Sequence, residues 1–308
     1  MQTTVEKSFS HVGTGVHLGR PARITVKPAE KGHGLVFKRT DVEHESSLIP
    51  ANHKYLTEGE LCTSLANSYG IRVLTVEHLL AAFSGVGVTN ALIEIDNEEV
   101  PILDGSSDGF VKSIISAGIK EQDRSLVVCK VTKPIKVEEA GSWVKFEPAN
   151  ELILSITIDY PGTLIGKQSL SLSMSNGAFI REISNCRTFC LKADIKRMLS
   201  RGMALGGNLD NAVVVDQFTI VNPGGLRRDD EFVRHKMLDA LGDLTLSGYP
   251  IFGHFTSFRG GHKLNSKLIS ELLSSYHCHE ICNLRDGEEY KLLGYKYESD
   301  DLRYKATG

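Results

Sequence analysis

The stretch EFVRHKMLDALGD, residues 231–243, contains ionisable side chains whose spacing suits a helix. His235, Asp239 and Asp243 follow one another at intervals of four residues, so in a helix they lie along one face. An imidazole and a carboxylate four residues apart can bind one metal ion. The alternative is the solvated polar face of an ordinary amphipathic helix, and this stretch alone leaves both interpretations open.

A second histidine, His78, lies in the stretch TVEHLLAAF, directly after Glu77. Neighbouring helical residues point about 100° apart, so a metal-bound His78 leaves Glu77 beside the ion as a base for water. His78, His235 and Asp239 together offer two imidazoles and one carboxylate. That set leaves a fourth position open for water, as in catalytic zinc sites. The alternative for Glu77 is a simple acidic partner of a helix N-terminus.

His262 is a further candidate, because it follows two glycines in RGGH, a loop that can bring a side chain close to a substrate. An ordinary loop histidine is the alternative. If His78 and His235 meet where the two halves of the chain pack together, the site lies at that interface.

The elements that must position these residues recur in the same order in both halves of the chain. The first half predicts a helix over 76–83, capped by Thr75 and ended by Gly85, then a strand over 90–97 and a helix over 110–118. The second half predicts a helix over 231–247, a strand over 249–258 and a helix over 263–275. We therefore expect an α+β fold built from a duplicated unit of one sheet with helices, in two similar two-layer domains.

The charged stretch KEQDRS, residues 120–125, predicts the hinge between these domains, which we place at 1–123 and 124–308. The second domain carries an insert over about 186–216, whose pattern predicts a helix, a glycine break and a strand.

Composition narrows the class of protein. The 308 residues are 41% hydrophobic and 24% charged, which is typical of a globular protein. A net charge of -3 gives no reason to expect nucleic acid or an anionic membrane as the main partner. No apolar run is long enough for a transmembrane segment, and the first residues lack the apolar region of a signal peptide. We therefore expect a cytoplasmic protein, a monomer, whose six cysteines are free.

Six motifs together resemble the UDP-3-O-acyl-N-acetylglucosamine deacetylase family, the bacterial zinc amidases of lipid A synthesis. They are TVEHLLAA, EFVRHKMLDALGD, FRGGHKLN, GTGVHLG, VPILDGSS and CRTFCL, and the resemblance covers essentially the whole chain. It implies hydrolysis of the N-acetyl group of UDP-3-O-(3-hydroxyacyl)-N-acetylglucosamine to the free amine and acetate. It also implies the duplicated α+β fold with an insert in each half, the first near residues 40–65.

The resemblance assigns the proposed chemistry residue by residue. His78, His235 and Asp239 match the family's zinc ligands, and Glu77 matches its base. Iron(II) could replace zinc in cells, because imidazole and carboxylate ligands suit both ions.

Further matches concern the groups around the metal. His262 matches the family's catalytic histidine, and Asp243 matches the carboxylate that pairs with it. Thr188 matches the threonine that contacts the oxyanion, and Lys236 matches the lysine beside the second histidine ligand. We expect His262 to be protonated and to act as the acid. The rival is a single Glu77 that carries both proton transfers, with His262 as electrostatic support.

The resemblance also predicts where the substrate binds. In the family the second insert forms an apolar passage for the acyl chain, which makes Phe189, Ile195 and Met198 acyl contacts. Lys192 and Ala204 stand where larger apolar or sulfur-bearing residues are common, so the preferred acyl length stays open.

Two further residues are weaker substrate contacts. Cys62 matches a cysteine near the family's site, and we treat it as a neighbour of the substrate. Arg259 is a cation near the predicted site and is expected to hold the substrate diphosphate, with a solvated loop cation as the alternative.

One other class of function has to be separated from the enzyme. A non-catalytic binding protein could keep the fold and use the metal as a structural staple. Such a site would need neither an unliganded base such as Glu77 nor a second titrating group such as His262. Both are present, so the sequence favours the enzyme.

Overall fold

The computed structural model describes residues 1–43, 47–57, 59 and 61–294, and over these residues the fold is α+β, as predicted. The α-helices are α1 Glu77–Val86, α2 Asp108–Ala117, α3 Ala178–Glu182, α4 Lys192–Ser200, α5 Glu231–Thr245 and α6 His262–Ser274. Short 3-10 helices span His53–Tyr55 and Glu289–Lys291. The four helices that the sequence predicts outside the second insert correspond to α1, α2, α5 and α6.

Among the described residues, the first half supplies ten strands. They are β1 Gln2–Val5, β2 Phe9–Thr14, β3 Pro21–Lys27, β4 Leu35–Arg39, β5 Leu48–Pro50, β6 Leu56–Thr57, β7 Ser64–Ala66, β8 Arg72–Leu74, β9 Ala91–Ile95 and β10 Ile119–Gln122. Five of them form one sheet in the order β2-β3-β9-β4-β5, in which β4 and β9 are parallel and the other neighbours antiparallel.

The second half, which is described up to residue 294, also supplies ten strands. They are β11 Val127–Val131, β12 Ile135–Glu139, β13 Ser142–Glu147, β14 Leu152–Tyr160, β15 Gly166–Ser173, β16 Phe189–Leu191, β17 Val213–Asp216, β18 Thr219–Ile220, β19 Ile251–Phe258 and β20 His279–Asn283. The pairing β12-β13-β19-β14-β15 repeats the first sheet, with β14 and β19 parallel and the other neighbours antiparallel.

The repeat extends beyond these two sets of five strands, and in the second half the additional strands join the same sheet, because β11 pairs with β19 in parallel. The pair β1-β10 has a counterpart in β11-β20, and both pairs are antiparallel. Helices α1 and α2 flank β9 in the chain just as α5 and α6 flank β19. The duplicated unit is therefore confirmed by topology. The domain boundary near residue 123 stays a proposal, supported by the gap between β10, which ends at Gln122, and β11, which begins at Val127.

Helices α1 and α5 pack against each other at the centre of the molecule. A Cβ atom at Gly242 would lie 2.1 Å from the carbonyl oxygen of Glu77, so only glycine permits this close approach. The polar stripe of α5 is buried: the exposed fraction is 1% for His235, 5% for Asp239 and 0% for Asp243. The interpretation of this stripe as a solvated face is therefore wrong.

Helix α1 differs from its prediction at both ends. Thr75 has a left-handed φ of 57° and does not cap the helix, which begins after Val76 without a side-chain cap. Its hydroxyl instead donates to Oε1 of the buried Glu99 at 2.8 Å, because a buried carboxylate needs donors. The helix ends at Val86 with Gly87, at φ 80°, as its left-handed C-cap, rather than at Gly85.

Each half carries an insert that forms a small three-stranded sheet between the main strands and the central helix. The first insert, β6-β7-β8, spans Leu56–Leu74 and so lies later than the predicted 40–65, because β5 belongs to the main sheet. Residues 44–46, 58 and 60 of that prediction lie outside the described residues. The second insert runs as strand β16, helix α4 and strands β17 and β18, so a strand precedes the helix and the insert continues to Ile220.

Within the described part of the chain, no helix combines the length and the apolar character needed to cross a membrane.

Candidate metal centre and active site

The candidate residues of both halves meet at one cavity of about 740 Å³. Helix α1 contributes Glu77 and His78, helix α5 contributes Lys236 and Asp239, and helix α6 contributes its first residue, His262. The second insert supplies much of the remaining wall. This arrangement agrees with the prediction that the site lies at the interface between the two halves.

Three buried side chains form the centre of the site. His78, His235 and Asp239 each offer a ligand atom, and these atoms lie within 4.8 Å of one another. Oδ1 of Asp239 is 3.4 Å from Nε2 of His78 and 3.2 Å from Nε2 of His235. The two imidazole rings stand almost perpendicular, at 87°. Two nitrogens and one carboxylate oxygen that converge from two helices are a donor set for a metal ion.

The orientation of the His235 ring also fits a metal ligand. Its Nδ1 lies 3.1 Å from the backbone carbonyl oxygen of Cys186, which can only accept a hydrogen bond, so Nδ1 carries the proton. Its Nε2 is then the ring nitrogen available to a metal ion together with His78 and Asp239. This nitrogen is buried and forms no hydrogen bond of acceptable geometry, although Asp239 lies close by. A buried nitrogen without a hydrogen bond is costly unless a metal ion binds it, so the residues present fit a metal.

Asp239 is held in its ionised form. Burial opposes ionisation, but His235 and Lys236 outweigh burial and hold the pKa of Asp239 well below its usual range. Nζ of Lys236 donates to Oδ2 of Asp239 at 2.8 Å. Burial likewise works against the charge of Lys236, but Asp239 and its neighbours raise the pKa of this lysine, which stays a cation. The carboxylate thus keeps one oxygen towards the histidines and the other towards a positive charge.

Glu77 lies beside this set without belonging to it. Its Oε2 accepts a hydrogen bond from the backbone N–H of Thr63 at 3.1 Å. Its Oε1 lies 3.8 Å from Nε2 of His262 across the cavity. Burial raises the pKa of Glu77 to about 8, against the opposing effect of the His262 charge and with a smaller contribution from the carboxylates Asp239 and Asp243. A carboxyl with a raised pKa next to a metal position is suited to take up a proton.

Nε2 of His262 faces Glu77, and Nδ1 on the other side of the ring pairs with the carboxylate of Asp243. Its Nδ1 donates to Asp243, whose Oδ1 and Oδ2 lie at 3.1 and 3.0 Å. Nδ2 of Asn265 donates to the same carboxylate at 2.8 Å. Burial lowers the pKa of His262, but Asp243 outweighs burial and, with Glu77 and Asp239, raises it to about 9. His262 is therefore the protonated partner of the pair it forms with Glu77.

Thr188 and Phe189 line the same cavity. Thr188 is fixed through its backbone, since its N–H donates to Gly105 and its carbonyl oxygen accepts from Val213, both at 2.8 Å. The ring of Phe189 packs edge-on against Phe232 and lies 6.2 Å from that of His235.

The predicted acyl contacts Ile195 and Met198, on α4, lie in the wall of the same cavity. Ala204 and Lys192 also line it, and Nζ of Lys192 is 2.7 Å from Oδ2 of Asp216. The side chain of Lys192 is 58% exposed, and this salt bridge pairs its charge with that of Asp216. The cavity lining thus includes this lysine beside the apolar side chains of the insert.

Arg259 and Cys62, the two weaker predicted substrate contacts, do not line the cavity. Arg259 is exposed at the end of β19, with a left-handed φ of 52°, and is not part of the cavity wall. Cys62 is 2% exposed, and burial raises the pKa of its thiol to about 12. Its chain neighbours on either side reach the site instead: Leu61 lines the cavity, and Thr63 contacts Glu77.

Comparison with known proteins agrees with this geometry. The family model for UDP-3-O-acyl N-acetylglycosamine deacetylase matches residues 2–274. The chain belongs to this family. Proteins named UDP-3-O-acyl-N-acetylglucosamine deacetylase are similar over nearly their full length. The one from Idiomarina loihiensis is 43% identical over 89% of this chain and 90% of its own. Those from Histophilus somni and Myxococcus xanthus are 42% and 43% identical over 94% and 93% of this chain, and 95% and 91% of their own.

Sequence reasoning missed several residues that support this deacetylase site. Glu231, at the start of α5, is 0% exposed and accepts hydrogen bonds from the side chain and the backbone N–H of Arg187, each at 2.9 Å. This ion pair anchors the segment between Cys186, whose carbonyl orients His235, and Thr188. Sequence periodicity cannot reveal a contact between two residues that are 44 positions apart. The burial of the carboxylate at the start of α5, which points to such a contact, is visible only in the structure.

Proposed function

We propose that this chain is a zinc-dependent amide hydrolase. It removes the N-acetyl group of UDP-3-O-(3-hydroxyacyl)-N-acetylglucosamine and releases acetate and the free amine, in lipid A biosynthesis. The observation that carries the proposal is a metal donor set with two unliganded proton-transfer groups beside it, Glu77 and His262, whose nearest atoms lie 3.8 Å apart. A metal that only stabilised the fold would need neither group.

The donor set supports zinc as the metal. Two imidazole nitrogens and one carboxylate oxygen, with a fourth position left for water, are typical of catalytic zinc. Iron(II) suits the same donors and is the alternative ion in cells. A zinc ion held by His78, His235 and Asp239 would supply Lewis acidity at the amide carbonyl and make the attacking water more acidic.

Glu77 and His262 divide the two proton transfers of the reaction. Glu77 accepts a proton from the attacking water, whose oxygen forms the new bond to the acetyl carbon. His262 carries the positive charge that Asp243 stabilises, and it donates its Nε2 proton to the departing nitrogen as the C–N bond breaks. The oxygen of water leaves in acetate, and the sugar leaves as the amine.

Two further side chains complement the negative charge that develops on the carbonyl oxygen. Thr188 reaches the cavity from the start of the second insert, and its hydroxyl is a hydrogen-bond donor. Lys236 adds a fixed positive charge at the wall of the cavity, because Asp239 holds its Nζ at 2.8 Å. A donor and a cation set in place before the reaction need no reorganisation as the charge appears.

The second insert supports recognition of an acyl chain. Phe189, Ile195 and Met198 line the cavity together with other apolar side chains of the insert. Each buried methylene stabilises a complex by about 0.8 kcal/mol, so substrates without the acyl group should bind far more weakly. Cys62 is a buried neighbour of Leu61, which lines the cavity. Arg259 is exposed and does not line the cavity, so it would hold the diphosphate outside the cavity.

The proposal is tested by acetate release from the acylated UDP-sugar, with and without a chelator. We expect wild-type activity to disappear with the chelator and to return with added zinc. Glu77→Gln keeps the metal ligands and should bind zinc normally but lose activity by a factor of about 10² or more. An active Glu77→Gln enzyme would remove the base from the proposal.

We also propose that the protein works in the cytoplasm as a monomer without nucleic acid as a partner. All six cysteines are free, which suits a reducing compartment. The net charge of -3 gives no attraction to nucleic acid. Cell fractionation and light scattering test the location and the monomer directly.

A further inference from the structure

Thr63 is the one residue of the first insert that contacts both sides of the proposed proton-transfer pair, among the residues that the structure describes. It is 2% exposed and lies just before β7. Its backbone N–H donates to Oε2 of Glu77, and its hydroxyl donates to Oδ1 of Asp243. The same hydroxyl oxygen lies 3.0 Å from Nδ1 of His262. The contacts connect residues that are 14, 180 and 199 positions apart in the chain.

The backbone contact determines how Glu77 is oriented. A carboxylate has two equivalent oxygens, and Thr63 occupies Oε2 at 3.1 Å. Oε1 is then the oxygen that faces Nε2 of His262 across the cavity, at 3.8 Å. In its ionised form, in which Glu77 acts as the base, this oxygen is a charged acceptor, and a hydrogen bond to a charged acceptor is stronger than one between neutral groups.

The hydrogen bond from the Thr63 hydroxyl acts on the other side of the proton-transfer pair, through Asp243. Asp243 is fully buried, and its carboxylate has three neighbours: His262, Asn265 and Thr63. Removal of the Thr63 hydroxyl leaves Oδ1 of Asp243 with only a shared contact to Nδ1 of His262, at 3.1 Å. A buried carboxylate oxygen that loses a donor tends to move towards the remaining one, and the imidazole ring moves with it.

We propose that Thr63 is a positioning residue of the reaction, which holds the base Glu77 and the Asp243–His262 acid in one fixed geometry across the interface between the two halves. The inference rests on the proposed function of these groups. Thr63 is not part of the cavity wall, so it acts through its neighbours and makes no contact with the substrate. Its hydroxyl acts on the acid and its backbone N–H on the base, and a side-chain substitution changes only the first contact.

The matched substitutions are Thr63→Val, which keeps the shape and loses the hydroxyl, and Thr63→Ser, which keeps the hydroxyl. We expect Thr63→Val to lower kcat about tenfold to a hundredfold, because a hydrogen bond to a buried charge is lost. KM and bound zinc should stay at wild-type values, and Thr63→Ser should keep kcat within about threefold. Thr57→Val is the control, because Thr57 is an exposed threonine of the same insert. Its hydroxyl makes only a long hydrogen bond, 3.4 Å, to the carbonyl oxygen of Ser64, so the substitution should leave kcat at the wild-type value.

A double-mutant cycle separates positioning from a general loss of structure. If the hydroxyl acts through Asp243 and His262, then Thr63→Val should cost little further activity in a His262→Ala background. Additive losses in kcat would overturn the inference, because the hydroxyl would then act on something other than the acid. Equal loss in Thr63→Ser and Thr63→Val, or a loss of zinc in Thr63→Val, would also overturn it.

Failure of this inference can be told apart from failure of the proposed function. An active Glu77→Gln enzyme contradicts the proposed function, and with it the role of Thr63. If Glu77→Gln and His262→Ala are inactive as expected while Thr63→Val works like the wild type, only the role of Thr63 is wrong.

Discussion

Gly242→Ala tests whether the close contact between α1 and α5 sets the geometry of the metal site. The new Cβ atom would lie 2.1 Å from the carbonyl oxygen of Glu77 and 2.7 Å from its carbonyl carbon, where ordinary contacts begin at 3.4 Å. Both neighbours are helix backbone, which cannot rotate away as a side chain can. The helices must therefore separate by about 1.3 Å at this point.

That displacement acts directly on the ligands, because α1 carries His78 and α5 carries His235 and Asp239. Overpacking of this kind costs about 1–3 kcal/mol of unfolding free energy. A misplacement of about 1 Å at an active site can cost a factor of 10² in rate. We expect Gly242→Ala to unfold at a lower temperature, to bind zinc more weakly and to release acetate about 10²-fold more slowly.

The matched control is Gly224→Ala, since Gly224 is exposed and an added Cβ there meets nothing within 4 Å. Thermal unfolding, zinc titration and acetate release are measured on both variants and the wild type. The control should match the wild type in all three. If Gly242→Ala also behaves like the wild type, the two helices do not approach as closely as described. The conclusion that their contact sets the ligand geometry would then be wrong.

Three more predictions concern the site and its support. Protonation of Glu77 removes the base as pH falls and deprotonation of His262 removes the acid as pH rises, so kcat/KM against pH should be bell-shaped. His262→Ala should abolish the basic limb, whereas a retained basic limb would assign both proton transfers to Glu77. Arg259→Ala should raise KM about tenfold if it holds the diphosphate, and unchanged kinetics would leave it a solvated loop cation. Glu231→Gln breaks the buried ion pair with Arg187 and should lower the unfolding free energy by about 3–5 kcal/mol, measured by denaturant titration; unchanged stability would contradict the importance of this pair.

The residues on α1 and α5 could be predicted from the sequence because their signals are local. The interval between His235 and Asp239 is one helical turn, and a helix also fixes the angle between Glu77 and His78. The repeated order of strands and helices likewise predicted the duplicated unit. The sequence of α5 alone does not show what its polar stripe packs against. Another buried helix covers it, and periodicity cannot distinguish burial against polar groups from exposure to water.

The rest of the site depends on contacts between distant parts of the chain. Thr63 and Asp243 are 180 positions apart, and nothing in the composition of either segment predicts that they meet. Thr75 has the residue type of a helix cap, but the buried carboxylate of Glu99 takes its hydroxyl instead. Short insert strands such as β6, with two residues, are below the length at which alternation can be detected.

We propose that His78, His235 and Asp239 hold a zinc ion on which amide hydrolysis depends. The most direct measurement is zinc content by elemental analysis together with acetate release, on the same preparations of wild type and His235→Ala. We expect about one zinc per wild-type chain, and a large loss of both zinc and activity in His235→Ala. Full zinc content with wild-type activity in His235→Ala would contradict the claim.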